Sequence, residues 1–168
     1  MTLKRRLAAA REGGRLSLVD REWRRYYEAA GDELLRQTLL FALSQFGPPG
    51  FAADLGCGGG RDTVELLRRG WHMLAIDAEP EAVQRLRERQ DLGWAADQPL
   101  QTQIARLEQA TWPEADLINA SFALPCCPPD AVSLLSAQKA GSLRGDGRFS
   151  GQLFGDRDGL ASEPDMSF

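Results

Sequence analysis

Three glycines at alternate positions, Gly56, Gly58 and Gly60, follow Asp54-Leu55, and a second acid, Asp77, stands 21 residues after Gly56. Glycine lets the backbone turn tightly and approach a ligand with no Cβ in the way, and a loop that opens into a helix aims its N–H groups at that ligand. A carboxylate at the distance of Asp77 is placed to accept hydrogen bonds from the two hydroxyls of a ribose. The chemistry these residues suit is the binding of a nucleoside-bearing molecule.

The elements that must position them are legible nearby. Phe51 to Leu55 is a short, mostly apolar run suited to a buried strand, and Arg61 to Arg69 reads as a helix with Val64 and Leu67 on one face. Met73 to Ile76 is a second apolar run, ended by Asp77. Strand, glycine loop and helix form the first unit of a nucleotide-binding α/β fold. The dinucleotide fingerprint G-x-G-x-x-G would need a third glycine where Arg61 stands, which argues against a nicotinamide-dependent oxidoreductase.

The pattern D-x-G-x-G-x-G from Asp54 to Gly60, with an acid at the end of strand two, resembles the class I S-adenosylmethionine-dependent methyltransferases. The loop Gly56-Cys-Gly-Gly-Gly-Arg-Asp62 looks closest to the tellurite-resistance-type and related small-molecule members. The resemblance runs from about Trp23 to Gly155. It implies an α/β, Rossmann-like parallel sheet of about five strands flanked by helices, S-adenosyl-L-methionine as cofactor, and methyl transfer to a small-molecule acceptor. It implies cofactor contacts from Asp54, Gly56, Cys57, Gly58 and Arg61 around the loop, and from Asp77 and Ala78 at the ribose. Leu107 and Glu108 fall beside the cofactor's base. The segment Asp116-Leu-Ile-Asn119-Ala-Ser-Phe122-Ala-Leu124-Pro125 resembles the family's fourth motif, with Asn119 near the reacting group. Where the family often has an aromatic after that proline, this chain has Cys126.

Along the chain, residues 1–28 carry eight Lys or Arg against four acids, a basic segment on a chain of net charge −4. A solvated helical face accounts for it, and contact with an anionic substrate or partner is the alternative. Trp23, Tyr26, Tyr27 and Ala30 share one helical face. That face either packs on the domain or, as in many methyltransferases, folds over the cofactor, with Tyr27 the candidate contact. Asp32 is placed to cap a helix running to about Phe46, with Leu35, Leu39, Ala42 and Phe46 as its buried stripe. A helix starting at Glu79-Pro80, a loop from Gly93 to Pro99, and strands Leu100–Leu107 and Ala115–Leu124 follow. Helix Asp130–Ala140, a turn at Gly145-Asp146-Gly147 and a strand Arg148–Phe154 complete the alternation.

No catalytic residue is assigned. The single histidine, His72, starts strand two, roughly 17 Å from the site end at about 3.3 Å per residue. Cys57 packs beneath the loop, and Cys126 and Cys127 have no histidine beside them to activate a thiol. No metal ligand set is present.

At 168 residues the chain predicts one domain, with 1–47 as an N-terminal helical segment or lid and 51–155 as the cofactor-binding core. The acidic balance argues against a nucleic-acid protein, and no apolar run reaches the ~20 residues of a membrane span. Three cysteines, two adjacent, are no disulfide framework, and a cytoplasmic protein is expected. Family members continue past strand five with an antiparallel strand pair that this sequence lacks. The fifth strand is therefore expected as an edge exposing Phe149, Leu153 and Phe154, where a homodimer could form. A non-catalytic cofactor-binding or scaffold protein is the alternative function.

Overall fold

A computed structural model of the chain describes residues 35–95 and 100–153. Tyr27, the basic segment, Asp32 and Phe154 lie outside those residues. Helix α1 (Gln37–Leu43) leads into β1 (Phe51–Leu55), α2 (Arg61–Arg68), β2 (His72–Asp77) and α3 (Pro80–Arg87). Then come β3 (Leu100–Ile104), β4 (Ala115–Ser121), α4 (Pro129–Ser142) and β5 (Leu143–Gln152). The strands form one sheet in the order β3-β2-β1-β4-β5, and all neighbours are parallel. Strand order therefore reverses between β1 and β4, the place where open α/β sheets bind ligands at the carboxyl ends of their strands.

The central strands carry near-continuous apolar runs because both faces are covered. On one face Leu39 and Ala42 of α1 and Leu66 and Leu67 of α2 pack with Ala52, Met73 and Leu117 of the sheet. On the other, Leu124 and Leu135 pack with Ala53, Leu55, Ile76 and Ile118. Leu39, Leu66 and Leu67 are fully buried, each worth about 1.5–3 kcal/mol by the area removed from water. Val83 and Leu86 of α3 face the core, as their spacing requires. Pro80 stands at the first helical turn, where a missing N–H is harmless.

Several boundaries differ from the sequence reading. Strand three stops at Ile104, and Ile104 is 51% exposed rather than a core position. As an edge strand of alternating Gln and Thr, β3 has only one neighbour to bury it. Leu107 and Glu108 consequently lie in a separate 3-10 turn, Leu107–Gln109. Strand four ends at Ser121, and a 3-10 turn Leu124–Cys126 follows. Helix α1 is shorter than read, although Phe46 still packs edge-on to Trp71 at 4.9 Å. Gln90–Ala95 forms a 3-10 turn that reaches into the loop expected from Gly93.

The largest difference is β5. It starts at Leu143, directly after α4, and Gly145-Asp146-Gly147 is no turn leading into it. Those residues form an irregularity within the strand: Ala115 pairs with Leu143, yet Leu117 pairs with Arg148. Glycines tolerate such a bulge, and Arg144 is anchored there by an ion pair to Asp116 at 2.6 Å. Phe149 and Leu153 are exposed, at 42% and 54%.

Candidate functional site

The turn after β1 is held by its neighbour strand. The N–H groups of Gly56 and Cys57 both donate to the Ile76 carbonyl, at 2.8 and 3.0 Å, and Gly60 N–H closes the loop onto the Cys57 carbonyl at 2.9 Å. Gly56, Gly58 and Gly60 have φ of 72°, 52° and 85°, the left-handed region that side chains rarely adopt. A Cβ on Gly56 would meet the Ala123 side chain, and one on Gly60 the Leu86 side chain. A Cβ on Gly59 would meet nothing within 4 Å, so the loop's outer side is open space.

Asp77 ends β2 beside this loop. Its Oδ2 accepts the Gly58 N–H at 2.8 Å and its Oδ1 the Glu79 N–H at 2.9 Å. Burial raises its carboxyl above the usual range, and these N–H groups oppose that shift. The Ala78 N–H bonds it as well, so of the roughly four acceptor sites of a carboxylate about one remains for a ligand hydroxyl. Ala78 is exposed next to it.

Asp54, the acid of the glycine motif, points inward instead. Thr63 Oγ1 donates to its Oδ2 at 2.5 Å and Asn119 Nδ2 to its Oδ1 at 2.9 Å. Burial, then the charge of Asp62, pushes the Asp54 carboxyl up to about 7 against those hydrogen bonds. Asp62, at the start of α2, accepts from Arg61 Nε at 3.0 Å, Ser121 Oγ at 2.9 Å and Asn119 Nδ2 at 3.2 Å. A buried polar cluster thus joins β1, α2 and β4 beneath the loop.

The other expected positions divide. Cys57 is buried, and burial followed by the charges of Asp54 and Asp77 drives its thiol well up, which fits packing beneath the loop. Leu107 is buried, and Glu108 is ion-paired with Arg106 at 2.5 Å. His72 lies at the amino end of β2, opposite the loop. Cys126 is exposed and Cys127 buried, the latter thiol raised to about 11 chiefly by burial.

Sequence reasoning missed Asp62, Thr63 and Ser121. The signal available was a first-turn acid after the glycines and a polar residue two positions after Asn119. Phe122, the residue after β4, has φ 57°, a genuine outlier for a bulky side chain.

A parallel sheet with a glycine loop, an acid at the end of the next strand and a polar strand end at the switch point defines a class of nucleotide-cofactor α/β domains. Within that class, the family profile described as "Methyltransferase domain" matches residues 52–147, more than half of the chain, and the chain belongs to that family. Its architecture is that of the class I methyltransferases.

Among solved structures, the chain is similar to the 1,6-didemethyltoxoflavin-N1-methyltransferase of Burkholderia thailandensis, at 24% identity and TM-score 0.66 over 82% of this chain and 59% of that one. That protein was solved with 1,6-didemethyltoxoflavin and S-adenosylhomocysteine bound. TehB from Haemophilus influenzae is similar at 16% identity and TM-score 0.63, over 74% of this chain and 42% of that one. A DhpI complex matches at 18% identity and TM-score 0.57, over 83% and 63%. These likenesses establish the fold, and the chain spans 42% to 63% of the lengths of these three proteins. No curated protein matches it. No helix among the described residues is long and apolar enough to cross a membrane.

Proposed function

We propose that this domain binds S-adenosyl-L-methionine and transfers its methyl group to a small-molecule acceptor. The observation that carries the reading is Asp77, whose carboxylate holds the Gly58 N–H at the carboxyl end of β2 and retains acceptor capacity. The open space over Gly59 fits a ligand lying along the loop. The toxoflavin-type methyltransferase, solved with S-adenosylhomocysteine, and DhpI, solved with S-adenosylmethionine or S-adenosylhomocysteine, support the same cofactor.

In this reading Asp77 accepts from a ribose hydroxyl, with the backbone of Gly56, Cys57, Gly58, Arg61 and Ala78 around it. Leu107 and Glu108 border the base, and Asn119 and Asp54 support the end nearest the reacting group. The cofactor supplies a methyl carbon already activated on a sulfonium. Held by Asp77 and the glycine loop, it would supply that methyl group to an acceptor lone pair and leave as the neutral thioether, the acceptor's proton going to water. Positioning and exclusion of water, worth up to about 7–11 kcal/mol in favourable intramolecular cases, are what the protein contributes.

The same reading takes 1–168 as one domain and the acceptor as a small molecule rather than nucleic acid, in line with the acidic chain. Three free cysteines fit a reducing compartment such as the cytoplasm. Pairing of two copies at the β5 edge, where Phe149 and Leu153 are exposed, belongs to it as well.

The test is calorimetric titration of S-adenosylhomocysteine into the wild type and Asp77→Ala. Saturable binding weakened by about ten-fold or more in the variant is expected, as for loss of a charged hydrogen-bond partner. Absence of binding by the folded wild type would reduce the domain to a scaffold.

A further inference from the structure

The run Gly58-Gly59-Gly60 has the widest choice of backbone angles in the chain, so a single loop shape has to be imposed on it from outside. Helix α3 reaches this run from both of its ends. At its start, Asp77 accepts the Gly58 N–H on one oxygen and, on the other, the N–H of Glu79, the residue that caps α3. Towards its other end, Leu86 fills the space that a Cβ on Gly60 would need. Just past that end, Arg89 donates from Nη1 to the Gly59 carbonyl at 3.2 Å.

Arg89 is itself aimed. Its Nε and Nη2 donate to the two oxygens of Asp91 at 2.9 and 2.8 Å, a fork that occupies one edge of the planar guanidinium and leaves Nη1 on the other. Arg68, at the end of α2, donates to the same Asp91 Oδ2 at 3.0 Å. Helix α2 starts at Gly60, so the chain of contacts Arg68–Asp91–Arg89–Gly59 runs from the far end of α2 back to the loop that opens it. The Arg89 and Asp91 side chains are 25% and 36% exposed, so their charge attraction is screened and adds little to stability. What the fork supplies is direction. A Gly59 carbonyl pinned to Nη1 stays turned towards α3 and is kept from swinging into the open space over Gly59.

We propose that Arg89 is a positioning residue for the cofactor: through the Gly59 carbonyl it locks the glycine loop in its ligand-ready form, and Asp91, gripped from α2 by Arg68, aims it. Arg89 acts on loop backbone and not on the ligand. A loop ordered before the ligand arrives carries no ordering cost at binding, so the lock appears as affinity. Lysine cannot replace it, because one ammonium on a flexible stem lacks the rigid fork that leaves a third nitrogen fixed in direction. The identity of the ligand rests on the S-adenosylmethionine reading above.

The test uses the full chain, with calorimetric titration of S-adenosylhomocysteine and NMR amide exchange of the ligand-free protein. Arg89→Leu is expected to weaken S-adenosylhomocysteine about ten-fold, the effect of one lost hydrogen bond to a charged group. It should also speed exchange of the Gly58 and Gly60 amides about ten-fold, while the amides of β1 and β2 keep their wild-type rates. Arg89→Lys should stay as weak as Arg89→Leu. Arg87→Leu removes the same charge from α3, where the guanidinium bonds Thr102, and should change neither readout. Wild-type affinity and loop exchange in Arg89→Leu, recovery in Arg89→Lys, or an equal loss in Arg87→Leu overturns the proposal. Should Arg89→Leu fail to fold, Asp91→Asn leaves Arg89 in place without its charged fork: weakened affinity at an unchanged thermal midpoint supports the proposal, and unchanged affinity overturns it. If the wild type does not bind S-adenosylhomocysteine while loop exchange still responds to Arg89→Leu, the cofactor reading falls and the loop lock stands.

Discussion

Asn119 donates its side-chain N–H to Asp54 at 2.9 Å, across the β4–β1 pair at which strand order reverses. The same nitrogen reaches Asp62 at 3.2 Å, so one amide bridges two buried carboxylates from a strand and a helix. The acid of the glycine motif thereby also serves as a strut beneath the loop.

That strut makes stability depend on pH. The Asp54 carboxyl is raised from 3.8 to about 7, so between those values the folded chain holds a proton that the unfolded chain releases. The contribution therefore favours folding fully below the unfolded value and is lost as pH rises through about 7. Asp77 is raised in the same direction. Urea unfolding of the wild type should show stability falling from pH 5 to pH 8, and Asp54→Asn should flatten that slope. Parallel profiles for the two proteins would refute the assignment.

The glycines of the loop are not equivalent. Gly56→Ala places a Cβ against Ala123 at φ 72° and should destabilise by about 2–4 kcal/mol, since overpacking and backbone strain combine. Gly59→Ala meets nothing within 4 Å and should leave the thermal midpoint within about a degree or two, a change below ~0.5 kcal/mol. It should nevertheless weaken S-adenosylhomocysteine, because its methyl enters the space assigned to the ligand. Unchanged affinity in Gly59→Ala would move the ligand away from that side of the loop.

The three thiols should separate by reactivity. Cys126 is exposed, while Cys57 and Cys127 are buried and held protonated. A thiol reagent at pH 8 should titrate one cysteine quickly in the folded protein and all three in urea. Loss of the fast phase in Cys126→Ser identifies it, and two fast thiols in the folded wild type would contradict the buried placement of the pair.

What the sequence determined by itself was local and periodic. Apolar runs made β1 and β2 and put Asp77 at a carboxyl end; alternate glycines made a loop whose backbone angles need them; spacing chose the buried faces of α2 and α3. The family resemblance rested on those same residues. Tertiary structure alone decided the rest. It joined Asp54 to Thr63 and Asn119 and brought Asp62 to Ser121, contacts that depend on sheet register and helix docking across as many as 65 positions in the chain. It ended β3 at Ile104, since an edge strand lacks the second neighbour that would bury it, and carried β5 back to Leu143 through a bulge. Short-range spacing carries propensity and periodicity, but which polar atom meets a partner is fixed only when separate elements pack.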